Sequence, residues 1–218
     1  MKVYDCFMYF DEEIVLDLRL NMLNEFVDYF VIVESLFTHR GEKRKLKFDH
    51  KKFENFKNKI IIYLVNEKEP KELNTISDPK NDHGGYIMNA VLRENNQRNF
   101  ISEGLKFADN NDFILISDVD EIPNLENINL NSLKEKIIQF RQEMFHYKFN
   151  LKLPNFIWTG TKGCKKKDLI NPQWLRNIKD KKYPFFRIDT IFSKTKYVSV
   201  KFINNGGWHF SNIKSAEE

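Results

Sequence analysis

The sequence predicts an α/β domain with a parallel sheet in its N-terminal half and antiparallel strands in its C-terminal half. Continuous apolar runs at 3–10, 29–33, 60–65 and 113–117 are the pattern of parallel strands covered on both faces. Helix-spaced apolar residues lie between them, as in a crossover α/β unit. From Phe145 to Leu153 every odd position is apolar and every even one polar, the period of a half-buried strand. The 218 residues contain no internal repeat or linker-like tract. One domain over 1–218 is expected, burying ~70% of the unfolded chain's surface.

With 41% apolar and 30% charged residues, the chain is too apolar for a disordered one. Two cysteines, Cys6 and Cys164, exclude a disulfide scaffold and suit a reducing compartment. The chain starts at once with a strand-like run and holds no apolar stretch near ~18 residues, so neither a signal peptide nor a membrane span is expected. A cytoplasmic protein with at most peripheral membrane contact is the expectation.

The elements follow in order. Val3–Phe10 reads as a strand, and Asp11 as an N-cap with Glu12 and Glu13 on the favourable end of the helix dipole. Leu16, Leu20, Leu23 and Val27 give that helix its apolar stripe. YFVIV (29–33) and IIIYLV (60–65) are the second and third strands. Residues 66–85, polar and broken by Pro and Gly, read as a long binding loop or lid. A helix over Tyr86–Ala108 leads into FILIS (113–117), the fourth strand. Ser132 and Glu135 have the spacing of a capping box and predict a helix ending near Gln142. Strands at Phe145–Leu153, Phe185–Phe192 and Tyr197–Ile203 complete the set.

Net charge is +4 but unevenly spread: residues 40–59 hold nine Lys/Arg against three acids, and 162–182 eight against two. Two basic segments on an acidic body point to a polyanionic partner. No G-x-G-x-x-G or P-loop motif and no zinc spacing occurs. Trp174 offers a stacking platform for nucleic acid, but no such partner is expected. Cys164 reads as part of a lysine-rich loop that could lower its pKa, but no base is identifiable beside it.

The sharpest feature is SDVDEIP, residues 117–123. A buried strand delivers Asp118, Asp120 and Glu121 at its carboxyl end, where open α/β sheets bind ligands. Carboxylates so close repel unless a cation offsets them. Mg²⁺ or Mn²⁺, held by one or two carboxylates plus substrate phosphates, meets that need. On the preceding helix Glu94 and Arg98 fall within the stripe of Ile87, Val91, Ile101 and Leu105, so the pair is expected to be buried or to face a site. Glu34 ends the second strand, placed to accept a ribose hydroxyl. NNGGWHFS (204–211) sets His209 after paired glycines, as a third ligand to a metal or diphosphate.

The blocks YDCFMYFDEEIVLDLRLNMLNEFVDYFVIVESLFTHRGEKRKLKF, ENNQRNFISEGL, ILISDVDEIP, WTGT and GGWHFS, in this order over nearly the whole chain, resemble glycosyltransferase family 17. This is the family of the β-1,4-mannosyl-glycoprotein β-1,4-N-acetylglucosaminyltransferases and their soluble bacterial and viral relatives. The resemblance implies a GT-A-like, Rossmann-like fold, a UDP-sugar donor and inversion at the anomeric carbon. Residues 1–123 would form the nucleotide-sugar half and 124–218 the side facing a glycan or glycolipid acceptor. The resemblance assigns the divalent cation to Asp118, Asp120 and His209, and the donor pocket to Glu34, Thr38, Lys45 and Arg98; Glu94, beside Arg98 on the helix, and Asp118 are expected to bind the donor with them. Relatives generally continue with a helical tail beyond the equivalent of Ser215–Glu218. Glu121 is the first candidate for the base that deprotonates the acceptor, and Asp189 the second. Two rival readings are a phosphatase of haloacid-dehalogenase type, with the first Asp as nucleophile, and a non-catalytic polyanion-binding module.

Overall fold

The computed structural model describes residues 1–56, 59–76 and 82–213. Strands β1 (Val3–Tyr9), β2 (Tyr29–Ser35), β3 (Ile60–Asn66) and β4 (Phe113–Asp118) lie parallel in the order β3-β2-β1-β4. This is half of the doubly wound order, with its switch point between β1 and β4. Successive side chains point to opposite faces, and both faces are covered. Phe7, Phe30, Ile32 and Leu115 pack under helix α1 (Glu13–Leu23) through Leu16, Leu20 and Leu23. Cys6, Val31, Val33, Ile114 and Ile116 pack against Ile101 and Leu105 after helix α2 (His83–Asn99), and against Trp174 and Leu175. Ile101 opens the short helix α3 (Ile101–Gly104), and helix α4 (Pro172–Asn177) carries Trp174 and Leu175.

The C-terminal half adds β5 (Glu121–Pro123), β6 (Ile137–His146), β7 (Lys152–Lys165), helix α5 (Asp189–Phe192), β8 (Val200–Ile203) and β9 (Gly207–Ser211). Among the described residues the nine strands make one mixed sheet along β3-β2-β1-β4-β7-β6-β9-β5, with β8 beside β6. β7 runs antiparallel to β4 and β6, and β5 antiparallel to β9. β6 pairs parallel with β8 and β9.

Several local expectations give way to tertiary packing. The helix expected after Ser132 is strand β6: Ile137 is buried on one face, Ile138 and Phe140 on the other. Their burial outweighs a capping pattern worth about 1 kcal/mol, and the Ser132 hydroxyl donates instead to the Asn129 carbonyl at 2.9 Å. The alternation over 145–153 spans a hairpin, not one strand. It turns at Tyr147, in the left-handed region at φ 63°, and leaves Tyr147, Phe149 and Leu151 exposed. Residues 185–192 form no strand; they turn after Pro184 into α5. The strand expected at Tyr197–Ile203 starts only at Val200. The long helix begins earlier, at His83, because the Asp82 side chain caps it, and it breaks at Phe100. Its Ile87 and Val91 are exposed; only Ile101 and Leu105 of the proposed stripe are buried. Helix α1 has no side-chain cap from Asp11. Cys164 lies in β7, not in a loop, and burial pushes its thiol up to about 12. Of the loop expected over 66–85, residues 77–81 lie outside the described residues, as do 214–218.

Candidate active site

The carboxyl ends of β1 and β4 open into a cavity of about 610 Å³ whose wall includes Tyr9, Glu12, Thr38, Glu94, Asp118, Asp120, Glu121, Trp158 and His209. It sits at the switch point, where the diverging crossovers leave a crevice.

The acidic turn is built from behind. On α1 the buried stripe carries Arg19 beside Leu16, Leu20 and Leu23, and all four are fully buried. Its Nε and one terminal nitrogen clasp Asp5 of β1 at 2.8 and 2.6 Å. The other terminal nitrogen donates to the carbonyls of Asp118, Val119 and Glu121 at 3.0, 3.1 and 3.0 Å. The Ser117 hydroxyl takes a further bond. Every donor of the guanidinium is thereby used, and the path of the turn is set by one side chain from another layer.

The carboxylates are sorted by arginines. Arg176 of α4 donates to both oxygens of Glu121 at 2.6 and 2.9 Å and to Asp118 Oδ2 at 2.9 Å. Arg98 of α2 donates to Asp118 Oδ1 at 2.9 Å and to Glu94 at 2.7 Å. Burial opposes ionisation of Asp118, but Arg176 and Arg98 outweigh it and hold the carboxyl at about 2. Glu121 is fully buried, and its oxygens also accept the Trp158 indole N–H at 2.7 Å and the Asp118 amide at 3.0 Å. Each oxygen therefore has two donors, which fills its acceptor capacity.

Asp120 is different. Its Oδ2 faces His209 Nε2 at 3.2 Å, brought opposite by the β5–β9 ladder that pairs Glu121 with His209. Among the described residues the buried His209 Nδ1 has no hydrogen-bond partner, and the ring lies 5.2 Å from that of Trp158. Burial opposes protonation of His209, yet the hydrogen bond and charge of Asp120, with Glu121 and Asp118 behind it, raise its pKa above the ordinary value.

Other expected site residues are placed elsewhere. Glu34 is buried: its oxygens accept the Lys47 and Phe48 amides at 2.7 and 3.1 Å and the Tyr63 hydroxyl at 2.8 Å, and Arg44 pairs with it at 3.0 Å. It pins the segment 44–48 and does not line the cavity. Lys45 is exposed and does not line it either. Thr38 does, and its hydroxyl and backbone close a turn onto Glu42. Asp189 is outside the cavity, in an exposed cluster where hydrogen bonds from Arg187 and Lys196 depress its pKa.

Four contributors went unread: Asp5, Arg19, Trp158 and Arg176. An arginine on the apolar stripe of α1 was a visible signal for Arg19. Arg176 was hidden among lysines that face solvent. Lys162, also in that basic segment, turns inward and donates to the Arg176 and Ile178 carbonyls, both at 2.6 Å. Burial chiefly, with Arg176 nearby, lowers its pKa to about 8.

Among the described residues no group of three or more His, Cys, Asp or Glu side chains is arranged to hold a metal ion. Asp118 is occupied by arginines; Asp120 and His209 remain as a carboxylate–imidazole pair on the cavity wall. Two protein ligands are a sufficient share where substrate phosphates and water supply the rest. Also among the described residues, no helix is long and apolar enough to cross a membrane.

The chain is 26% identical over 215 residues to a human protein named beta-1,4-mannosyl-glycoprotein 4-beta-N-acetylglucosaminyltransferase, covering 90% of this chain and 38% of that one. A rat protein of the same name is 30% identical over 148 residues, covering 66% of this chain and 25% of its own length. The chain thus spans less than two-fifths of the length of these curated relatives. The family model described as Glycosyltransferase family 17 matches residues 1–169, a stretch that includes Arg19, the whole acidic turn and Trp158; the chain belongs to glycosyltransferase family 17.

Proposed function

We propose that this chain is a glycosyltransferase of GT-A type that moves a sugar, N-acetylglucosamine in the first instance, from a UDP-linked donor to a glycan hydroxyl with inversion. The observation that carries the reading is the division of labour in the acidic turn. Asp118 and Glu121 are locked by arginines, while Asp120 and His209 face the cavity at the switch point. The names borne by the relatives supply the sugar and the glycoprotein acceptor class.

Asp120 and His209 would hold Mn²⁺ or Mg²⁺, a donor set that suits a cation of this hardness. Such an ion supplies charge neutralisation for the departing diphosphate. Asp118, fixed by Arg98 and Arg176, orients the donor instead of binding the ion. Trp158 and Tyr9 wall off water from the sugar. Glu121 takes an electrostatic role, since its oxygens are already filled. The base falls to Glu12, which lines the cavity: its Oε2 is held by the Phe10 and Asp11 amides at 3.0 and 3.1 Å, and burial raises its pKa above the ordinary carboxylate value. The nucleotide-sugar half at 1–123 and the acceptor half at 124–218 meet in this cavity, since Trp158 and His209 come from the second. A phosphatase needs a free aspartate nucleophile, which the doubly engaged Asp118 does not offer.

The test is a thermal-shift panel of UDP and UDP-N-acetylglucosamine with and without Mn²⁺, followed by UDP release. Native-state ligands raise the melting point. Wild type should gain stability from UDP only with Mn²⁺, and Asp120→Asn should lose that gain while keeping its unliganded melting point. An Asp120→Asn protein that still responds to UDP and Mn²⁺ overturns the reading.

A further inference from the structure

Residues 179–195 leave the sheet and return as a closed loop. The neck is tied by the Lys179 amide donating to the Thr195 carbonyl at 2.9 Å and by the Trp174 indole donating to the Lys194 carbonyl at 2.6 Å. Its tip carries four large apolar side chains in the open: Phe185 is 87% exposed, Phe186 69%, Ile188 70% and Phe192 83%. Soluble surfaces carry single exposed apolar residues without consequence, but a contiguous group marks an interaction site.

The same segment is strongly basic. Between 179 and 196 stand Lys179, Lys181, Lys182, Arg187, Lys194 and Lys196 against Asp180 and Asp189. Both acids are engaged within the protein: Asp180 accepts from the Thr159 hydroxyl at 2.6 Å, and Asp189 pairs with Arg187 and Lys196. The buried Tyr183 ring gathers Lys181, Arg187 and Lys196 around it within 6.0 Å. The segment thus combines exposed apolar side chains with a cluster of cations about Tyr183, a combination in which aromatic side chains enter the acyl boundary while lysines and arginines meet headgroups. The Thr159–Asp180 bond seats the neck against the outer part of β7, where Phe156 and Ile157 are also exposed.

We infer that the loop 179–196 docks this protein on an anionic lipid bilayer, with Phe185, Phe186, Ile188 and Phe192 inserted and the surrounding Lys and Arg on the headgroups. The inference does not depend on the proposed transferase chemistry. Charge complementarity selects the occupant: six cations stand against two acids over 179–196, and a neutral apolar partner would leave that surplus unmatched.

The test is co-sedimentation of the full chain with vesicles of phosphatidylcholine alone or mixed with phosphatidylglycerol. Partition into the mixed vesicles should be about tenfold or more above the neutral ones and should fall as salt rises. Phe185→Ser/Phe192→Ser and Lys181→Glu/Lys182→Glu should each lower it about tenfold, with melting points unchanged. Equal partition into both vesicle types, or no partition, overturns the inference. So does wild-type binding by either double variant. A self-associating protein whose dimer, read by sedimentation velocity, is lost in the Phe variant would show that a second copy covers the tip, and overturns it too.

Discussion

Strands β1, β2 and β4 lie between two apolar layers with scarcely a side chain in water, whereas the outer part of β7 and the loop 179–196 hold Phe, Ile and Trp in the open. The cavity is lined by the ends of the first region and, from the second, by Trp158 of β7. The first supplies the acidic turn, held by Arg19 from behind and by Arg176 and Arg98 from the side. The second supplies Trp158. Protein interiors transmit small displacements because they are close-packed, so the first region keeps charges in register. The open region leaves room for partners of varied shape.

The contrast breaks most readily at Arg19. Arg19→Met leaves Asp5 buried and unpaired, at a cost of about 3–5 kcal/mol, read as a lower denaturation midpoint. An Asp5→Leu/Arg19→Met double variant should recover part of that loss while the acidic turn, deprived of its carbonyl donors, stays loosened. A single variant with wild-type stability would mean that the turn is held elsewhere.

Lys162 gives the next largest effect, through pH. Its folded-state pKa, about 8, lies below the ordinary 10.5, so burying its charge destabilises the fold fully below pH 8. Between pH 8 and 10.5 the unfolded chain binds more protons than the folded one, and stability rises with pH. The upper bound is roughly 3 kcal/mol. Subtracting the unfolding free energy of Lys162→Met from that of wild type at each pH isolates this effect; a flat difference from pH 7 to 11 would refute it.

Gly207→Ala should follow at about 2 kcal/mol. Its φ is +123°, and a Cβ there would stand 2.1 Å from the Ile122 carbonyl, forcing apart the β5–β9 pairing that sets His209 against Asp120. UDP and Mn²⁺ binding should weaken with it. At the other extreme, Phe185→Ser should change stability by no more than about 0.5 kcal/mol, because its ring is already in water. A large loss would mean that the tip packs in solution.

Much of the rigid region was legible. FILIS, YFVIV and VYDCFMY are apolar at consecutive positions because both faces of those strands are covered, and DVDEIP had to emerge where the strand ends. The C-terminal half was less legible. Ile137, Ile138 and Phe140 face opposite layers, a fact invisible until β7 and β8 are known to flank them. The run 145–153 alternates through a hairpin whose apolar side chains are mostly exposed, so periodicity there reported no burial. Residues 185–192 are apolar enough for a strand but have no neighbour to pair with.

The parallel sheet, the acidic turn at its rim and the family can be read from the chain without coordinates, since each is written in local composition or in contiguous blocks. Which carboxylates meet an arginine and which meets His209 emerges only on folding. Asp118, Asp120 and Glu121 are chemically alike in the chain. Arg98 reaches the Asp118 carboxylate from 20 positions away and Arg176 reaches those of Asp118 and Glu121 from 55–58, while Arg19 holds the turn's carbonyls from 99–102 away; charges that distant in sequence select their partners through space.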